Sequence, residues 1–344
     1  MTHLPARLGV VIPVTRPHMA SACLAGIATQ ADAGSVLVVV VGNVDGIVVP
    51  DKLQTILVPL AELHTNVRRD AALQRLSTPL VALLDDDTVP QPGWLAAALA
   101  VDPVAQIIVT GPEHAFLEHP TAQLIEAVSS SILTEGSLAH RVETRRPVGW
   151  TDVPFSNVVL PRLVIETAGG LALDQPADVD DLEFMLRARR VATFLNDPEL
   201  VVVHDRYPPR ISDLLHYRWR VRRRVGEKLV THPWLYGRIP PAVVVATAPT
   251  AGLLTLHLLG WRRGMSLGAV VYGAVLAAQA AIGIRLVGAR RTPAFVGLTI
   301  ALHATNIAAV QVGIVKALLG RPGTGRYDGR DHEWSSATAC KDGP

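Results

Sequence analysis

The chain is poor in cysteine. Only Cys23 and Cys340 occur among 344 residues. Two thiols so far apart make no disulfide framework, and a reducing cytoplasm is the expected compartment. Net charge is also lacking: 32 basic and 30 acidic residues leave +2, so the chain as a whole carries no electrostatic signal for nucleic acid. Met1 to Val14 holds one charged residue, Arg7, and a short apolar run with Pro13 near its end. A first strand is expected there, not a signal peptide. Thr15-Arg16-Pro17-His18 follows without glycine, whereas a nucleotidyltransferase would need a Gly-rich, basic phosphate loop at that place. No internal repeat or low-complexity tract stands out.

Charge is missing in one further place. Pro241 to Gly260, Ser266 to Ile284 and Pro293 to Val315 contain no Asp, Glu, Lys or Arg, and they raise the mean hydropathy to +0.30. Each run is long enough for a hydrocarbon core of about 30 Å. Three membrane helices are expected, with a buried helical bundle as the alternative, and Trp261 and Tyr272 suit interfacial positions. Arginines lie on both sides of every run. The densest group, Arg222-Arg223-Arg224 with Arg238, precedes the first, which places the N-terminal domain in the cytoplasm of a multi-pass protein of the plasma (inner) membrane. The expected organisation is a domain over 1–225, a membrane domain over 226–320 with about three helices, and a polar disordered tail over 321–344.

Against these absences, one stretch organises the rest: Pro79-Leu80-Val81-Ala82-Leu83-Leu84-Asp85-Asp86-Asp87-Thr88-Val89-Pro90. Its apolar half reads as a buried strand and its acids sit where that strand ends. In an open α/β sheet, ligands bind beyond the carboxyl ends of the strands. Three neighbouring carboxylates repel one another, and a divalent cation relieves that repulsion. Asp85 and Asp87, two apart, suit a hard oxygen-seeking ion such as Mg²⁺ or Mn²⁺, which keeps positions for water and phosphate. The alternative is a solvated turn capping the helix that begins near Trp94.

Strands are expected at Leu8 to Val14, Val36 to Val41, Thr55 to Val58, Gln106 to Gly111, Phe155 to Leu160, Val191 to Leu195 and Leu200 to Val203, the last followed by His204. Helices are expected at His18 to Gln30, Asn66 to Leu76, Leu117 to Leu133, Arg162 to Ala168, from Asp180, and at Ser212 to Val225. Thr134 to Gly149 is expected to be a mobile loop. This alternation argues for an α/β fold on a mostly parallel, Rossmann-like sheet flanked by helices, with the membrane helices after it. Asp180 and Asp181 open a helix, where acids also serve simply as caps. The Ser212 to Val225 helix is strongly basic.

The order of these features resembles the membrane-attached family 2 inverting glycosyltransferases of GT-A fold. The resemblance covers about 7–225. It is carried by Asn66-Val67-Arg68-Arg69-Asp70-Ala71-Ala72, by Leu84 to Leu95 as the family's Asp-x-Asp segment, and by Asn157, Gly169-Gly170, the Asp180-Asp181 pair and Arg187 on the acceptor side. It implies that Asp85 and Asp87 hold Mg²⁺ or Mn²⁺ on a nucleotide-sugar diphosphate, with His204 completing the metal or phosphate site. Asp86 would lie near the ribose or sugar. Asp181, with Asp180 beside it, would be the base that deprotonates the acceptor hydroxyl. Pro13, Asn43, Asp45, Arg69, Arg218, Trp219 and Arg222 would contact the donor. For His204, Arg69 and the basic helix, a structural histidine, a surface arginine and a lipid-contacting face are the respective alternatives. Two departures stand out: Gly42-Asn43 occupies the place where the family has base-reading acids, and the acid pair is Asp-Asp where Glu-Asp is common. The expected partners are a nucleotide-sugar, a lipid-linked or polysaccharide acceptor and membrane lipid, not nucleic acid. A catalytically degenerate membrane scaffold is the non-enzyme alternative.

Overall fold

The computed structural model describes residues 6–30, 32–61, 65–116, 120–129, 131, 144–171, 180–204, 210–231 and 262–320. The first uncharged run, the polar tail, most of the Thr134 to Gly149 loop and the side chains of Asp180 and Asp181 lie outside the described residues. The chain divides into two units. One takes the described residues of Met1–Ala115 and Leu138–Arg206; the other takes those of Phe116–Ser137 and Tyr207–Thr324.

The first unit is built on β1 (Leu8–Val14), β2 (Val36–Gly42), β3 (Gln54–Pro59), β4 (Leu80–Leu84), β5 (Thr88–Pro90), β6 (Ile107–Thr110), β7 (Glu113–Ala115), β8 (Arg146–Pro147), β9 (Asn157–Pro161), β10 (Thr193–Asn196) and β11 (Val202–His204). Its main sheet runs β3-β2-β1-β4-β9-β6-β10-β8. β3, β2, β1 and β4 are mutually parallel. The expected parallel order breaks at β9, which is antiparallel to both β4 and β6. An apolar run such as Asn157–Pro161 carries no direction of its own, so its polarity was not legible in the residues.

The strands are apolar on both sides because both faces are covered. Leu8, Val10, Ile12 and Val14 pack on one face with α1 (Pro17–Ala28), and Val11 on the other with α2 (Thr65–Leu73). α3 (Trp94–Leu99) joins the first face; its Trp94 is fully buried. A second, small sheet, β5-β11-β7, stands beside the acidic segment. It pairs residues 88–90 with 202–204, a contact that no short-range pattern announces.

The second unit contains α4 (Pro120–Ser129) and, after α5 (Arg162–Thr167) and α6 (Asp180–Ala188) of the first unit, α7 (Ile211–Thr231), α8 (Arg262–Val287) and α9 (Thr292–Leu318). Among the described residues one helix, α9, is long and apolar enough to cross a membrane. The second expected span falls in α8, whose apolar stretch Tyr272–Val287 is shorter. Among the described residues the expectation of three spans is therefore reduced to one such helix, and a multi-pass arrangement is not supported. A buried polar chain links Ser131 Oγ to Gln279 Oε1 at 2.7 Å, and Gln279 Nε2 to Thr299 Oγ1 at 3.2 Å.

Candidate functional site

β1 and β4 run side by side in the same direction, with Leu8 beside Leu80 and Val11 beside Leu83. Their carboxyl ends therefore meet at one rim, and the turn after Val14 faces the acids after Leu84. Asp86 secures this junction. Its Oδ2 accepts the backbone N–H groups of Thr15 and Arg16, both at 2.8 Å, and the Thr15 hydroxyl at 2.9 Å. Its Oδ1 accepts Arg16 Nη2 at 2.8 Å. This carboxylate, expected near the ribose or sugar, is buried and accepts all four of these hydrogen bonds from the turn after β1.

Asp87 lies deeper than Asp85 and is also paired twice. Its Oδ2 is 2.7 Å from Arg16 Nη2, and its Oδ1 is 3.0 Å from His204 Nε2. Burial would raise Asp87, but His204 and Arg16 hold it well below the usual carboxylate range. Burial likewise opposes charge on His204, yet the adjoining Asp87 raises it to about 9. The other ring nitrogen, Nδ1, lies 3.5 Å from Oε2 of the buried Glu113. Glu113 Oε1 in turn accepts the Ser156 hydroxyl. A carboxylate behind a histidine fixes the ring and its tautomer, as is usual behind metal ligands.

Asp85 is the accessible member, with 35% of its side chain exposed, and Arg69 Nη2 reaches its Oδ1 at 3.0 Å. The Arg69 guanidinium stands 4.8 Å over the Phe155 ring and also donates to Asn66 Oδ1. Arg69 is thus no surface residue; packing holds its charge beside the acids. Asp85, Asp87 and His204 each offer a ligand atom, all within 4.8 Å of one another. Two bonds of about 2.1–2.3 Å across one ion span about 4.2–4.6 Å, close to that spread. Two carboxylates and an imidazole could hold Mg²⁺ or Mn²⁺.

No protein-family model matches the chain. Among solved structures, it is similar to "Mannosyltransferase PcManGT from Pyrobaculum calidifontis in complex with GDP-Man and Mn2+", at 18% identity and TM-score 0.50, over 92% of this chain and 88% of that one. The fold is a glycosyltransferase fold. Two crystal structures of S. aureus TarS 1-349, one in complex with UDP-GlcNAc, share 12% identity over 91% and 92% of this chain and 92% of theirs; their TM-score of 0.44 adds nothing to this.

Within this glycosyltransferase fold, five residues picked out from sequence come together at one rim: Asp85, Asp86, Asp87, Arg69 and His204. Pro13 is buried inside β1. Asn43 and Asp45 are exposed in the loop after β2. Gly42 is required there: its φ is +127°, and an added Cβ would lie 2.4 Å from the Val14 carbonyl oxygen. That oxygen accepts both the Asn43 N–H at 3.0 Å and Arg68 Nη1 at 2.8 Å. The backbone packing thus explains why a glycine precedes Asn43. Asp180 and Asp181 begin α6; Arg187 of that helix, held by a two-point pair with Glu183 one turn back, ties it to the residues after α5 through the carbonyls of Ala168 and Gly170. Arg218, Trp219 and Arg222 lie on α7 in the other unit, each half-buried.

Three contributors were missed from sequence. Arg16 read only as part of a Pro turn. Glu113 and Ser156 carry no periodic signal. A cation directly after the first strand, facing a later acid triplet, was the one usable clue.

Proposed function

We propose that the chain is a metal-dependent, inverting glycosyltransferase of the family 2 kind. It moves a sugar from a nucleotide-sugar to a lipid-linked or cell-envelope glycan acceptor at the membrane. The observation that carries this reading is the cluster of Asp85, Asp87 and His204 at the carboxyl rim of a glycosyltransferase-fold sheet. These three residues would hold Mg²⁺ or Mn²⁺, which neutralises the charge growing on the leaving diphosphate. Arg69, locked by Phe155 and Asn66, aims Asp85 and adds positive charge beside the phosphates. Glu113 keeps His204 in the tautomer that leaves Nε2 for the cation. Asn43 and Asp45 offer hydrogen bonds to the nucleoside. Asp181, or Asp180 beside it, takes the proton from the acceptor hydroxyl, and attack opposite the leaving group inverts the anomeric centre. α9 attaches the chain to the membrane with the catalytic unit on the cytoplasmic side, and Arg218, Trp219 and Arg222 meet lipid or lipid-linked phosphate.

One observation favours the scaffold reading: both oxygens of Asp87 are already taken by protein cations. A thermal-shift screen of uridine, guanosine and thymidine diphosphates with Mn²⁺ separates the two. A ligand at 100 times its Kd adds about 2.7 kcal/mol of stability, a readily visible shift. The enzyme reading requires a Mn²⁺-dependent shift with at least one base. It further requires that Asp87→Ala lose the shift, and that Asp181→Asn keep the shift but lose sugar transfer. No shift with any of the three leaves the scaffold.

A further inference from the structure

Arg16 is held in an arrangement that serves the metal-free protein better than a loaded one. A single nitrogen, Nη2, bridges Asp86 Oδ1 at 2.8 Å and Asp87 Oδ2 at 2.7 Å. The Nε of the same guanidinium is buried with no hydrogen-bond acceptor among the described residues. A planar fork built for two-point contacts is thus used at one point, and a buried donor goes unmatched. The backbone cannot move to improve this, because Asp86 Oδ2 clamps the N–H groups of residues 15 and 16. Only the side chain is free to swing. It sits at the rim, with 16% of its surface exposed against 7% for Asp87. It is also the residue before α1, a twelve-residue helix whose N-terminus has no side-chain cap, so the local potential already favours an anion.

A divalent ion on Asp87 would repel a guanidinium less than 3 Å from the same carboxylate. We propose that Arg16 competes with the cation for Asp87 and, when the cation enters, turns to the donor's diphosphate while Asp86 keeps hold of its backbone. Arg16 would then be a phosphate ligand that becomes available only with the metal in place, which orders binding as cation before, or together with, donor. Phosphate suits the group, since two parallel N–H···O bonds would engage the unused Nε. The hand-over rests on the glycosyltransferase reading; the competition does not.

The test uses the full chain in detergent, with wild type, Arg16→Gln and Arg16→Lys shown to be folded by their thermal transitions. Free Mn²⁺ is first titrated without nucleotide, by its electron paramagnetic resonance signal. Arg16→Gln is expected to bind Mn²⁺ at least about fivefold more tightly than wild type, and Arg16→Lys to stay within about twofold, because the competing charge remains. Unchanged or weaker Mn²⁺ binding in Arg16→Gln overturns the competition. The nucleoside diphosphate found in the screen is then titrated at saturating Mn²⁺. Arg16→Gln should lose about tenfold or more, and Arg16→Lys nearly as much, because the fork is gone. Equal affinity in all three overturns the hand-over. If wild type binds no nucleoside diphosphate, the functional reading and the hand-over fall together, and the Mn²⁺ titration still decides the competition.

Discussion

The three adjacent aspartates are chemically alike and structurally distinct. Asp86 accepts two backbone N–H groups, a hydroxyl and a guanidinium, so its removal leaves buried donors unpaired, at about 1–3 kcal/mol each. Asp86→Ala is therefore expected to destabilise the chain by about 2–4 kcal/mol in urea unfolding, more than Asp85→Ala, whose carboxylate is partly solvated. Equal losses would remove the clamp role given to Asp86. His204 carries the pH dependence. Its imidazole, raised to about 9 beside Asp87, is protonated at neutral pH in the metal-free protein. The pair's contribution to stability is complete below about 6.5 and is lost as pH rises through about 9. An imidazole must be neutral to bind a metal, so Mn²⁺ binding at pH 7.5 should release a proton, and apparent affinity should climb from pH 6.5 to 9. Calorimetry in buffers of different ionisation enthalpy reads that proton directly.

At the scale of elements, the site depends on a small sheet that holds His204 from outside the main one. Asn157 braces this arrangement. Its Oδ1 accepts Trp94 Nε1 at 3.0 Å, its Nδ2 donates to the Leu200 carbonyl at 2.7 Å, and its own carbonyl accepts Thr110 Oγ1 at 2.8 Å. α3, β6, β9 and the approach to β11 meet at this one residue, α3 and the approach to β11 through its side chain. Asn157→Ala should cost about 2–4 kcal/mol. It should also weaken Mn²⁺ binding severalfold although Asn157 touches no ligand atom; stability loss with unchanged Mn²⁺ affinity would confine its role to packing. What was legible from sequence follows the same lines. β1, β2 and β4 are long apolar runs bounded by turns, so their positions and the acids at the end of β4 could be read directly. β5, β7 and β11 are three residues each, too short for a period of two to show, and β11 pairs with β5 and β7 across roughly a hundred positions. Glu113 begins β7 and Arg16 lies in the turn between β1 and α1, so neither charge carried a pattern of its own.

At the scale of the whole molecule, two helices of the helical unit, α7 and α9, meet by close backbone approach. A Cβ added at Gly313 would lie 1.9 Å from the Arg223 carbonyl oxygen, and one at Gly226 would lie 2.1 Å from that of Val310. α7 and α9 therefore touch where each has no side chain, the packing by which helices associate in lipid. Gly313→Val should separate them, so that trypsin cuts at the α7 arginines faster than in the wild type. α9 itself has a mean hydropathy of 1.6 over its best window, and only a third of that window is buried inside the protein. Its 27 residues rise about 40 Å at 1.5 Å each, more than a hydrocarbon core needs. An exposed apolar face of that length fits the proposed attachment to lipid, for which two arrangements exist: crossing the bilayer or lying in its surface. They differ in what a charge at the middle costs. Ala304, exposed near the centre of α9, would bring a lysine to the hydrocarbon midplane of a crossing helix at about 2.5–3.5 kcal/mol, but to solvent on a surface helix. A crossing α9 predicts that the wild-type chain stays with membranes through alkaline carbonate and that Ala304→Lys is partly released. Release of the wild type by carbonate alone would rule out a crossing α9.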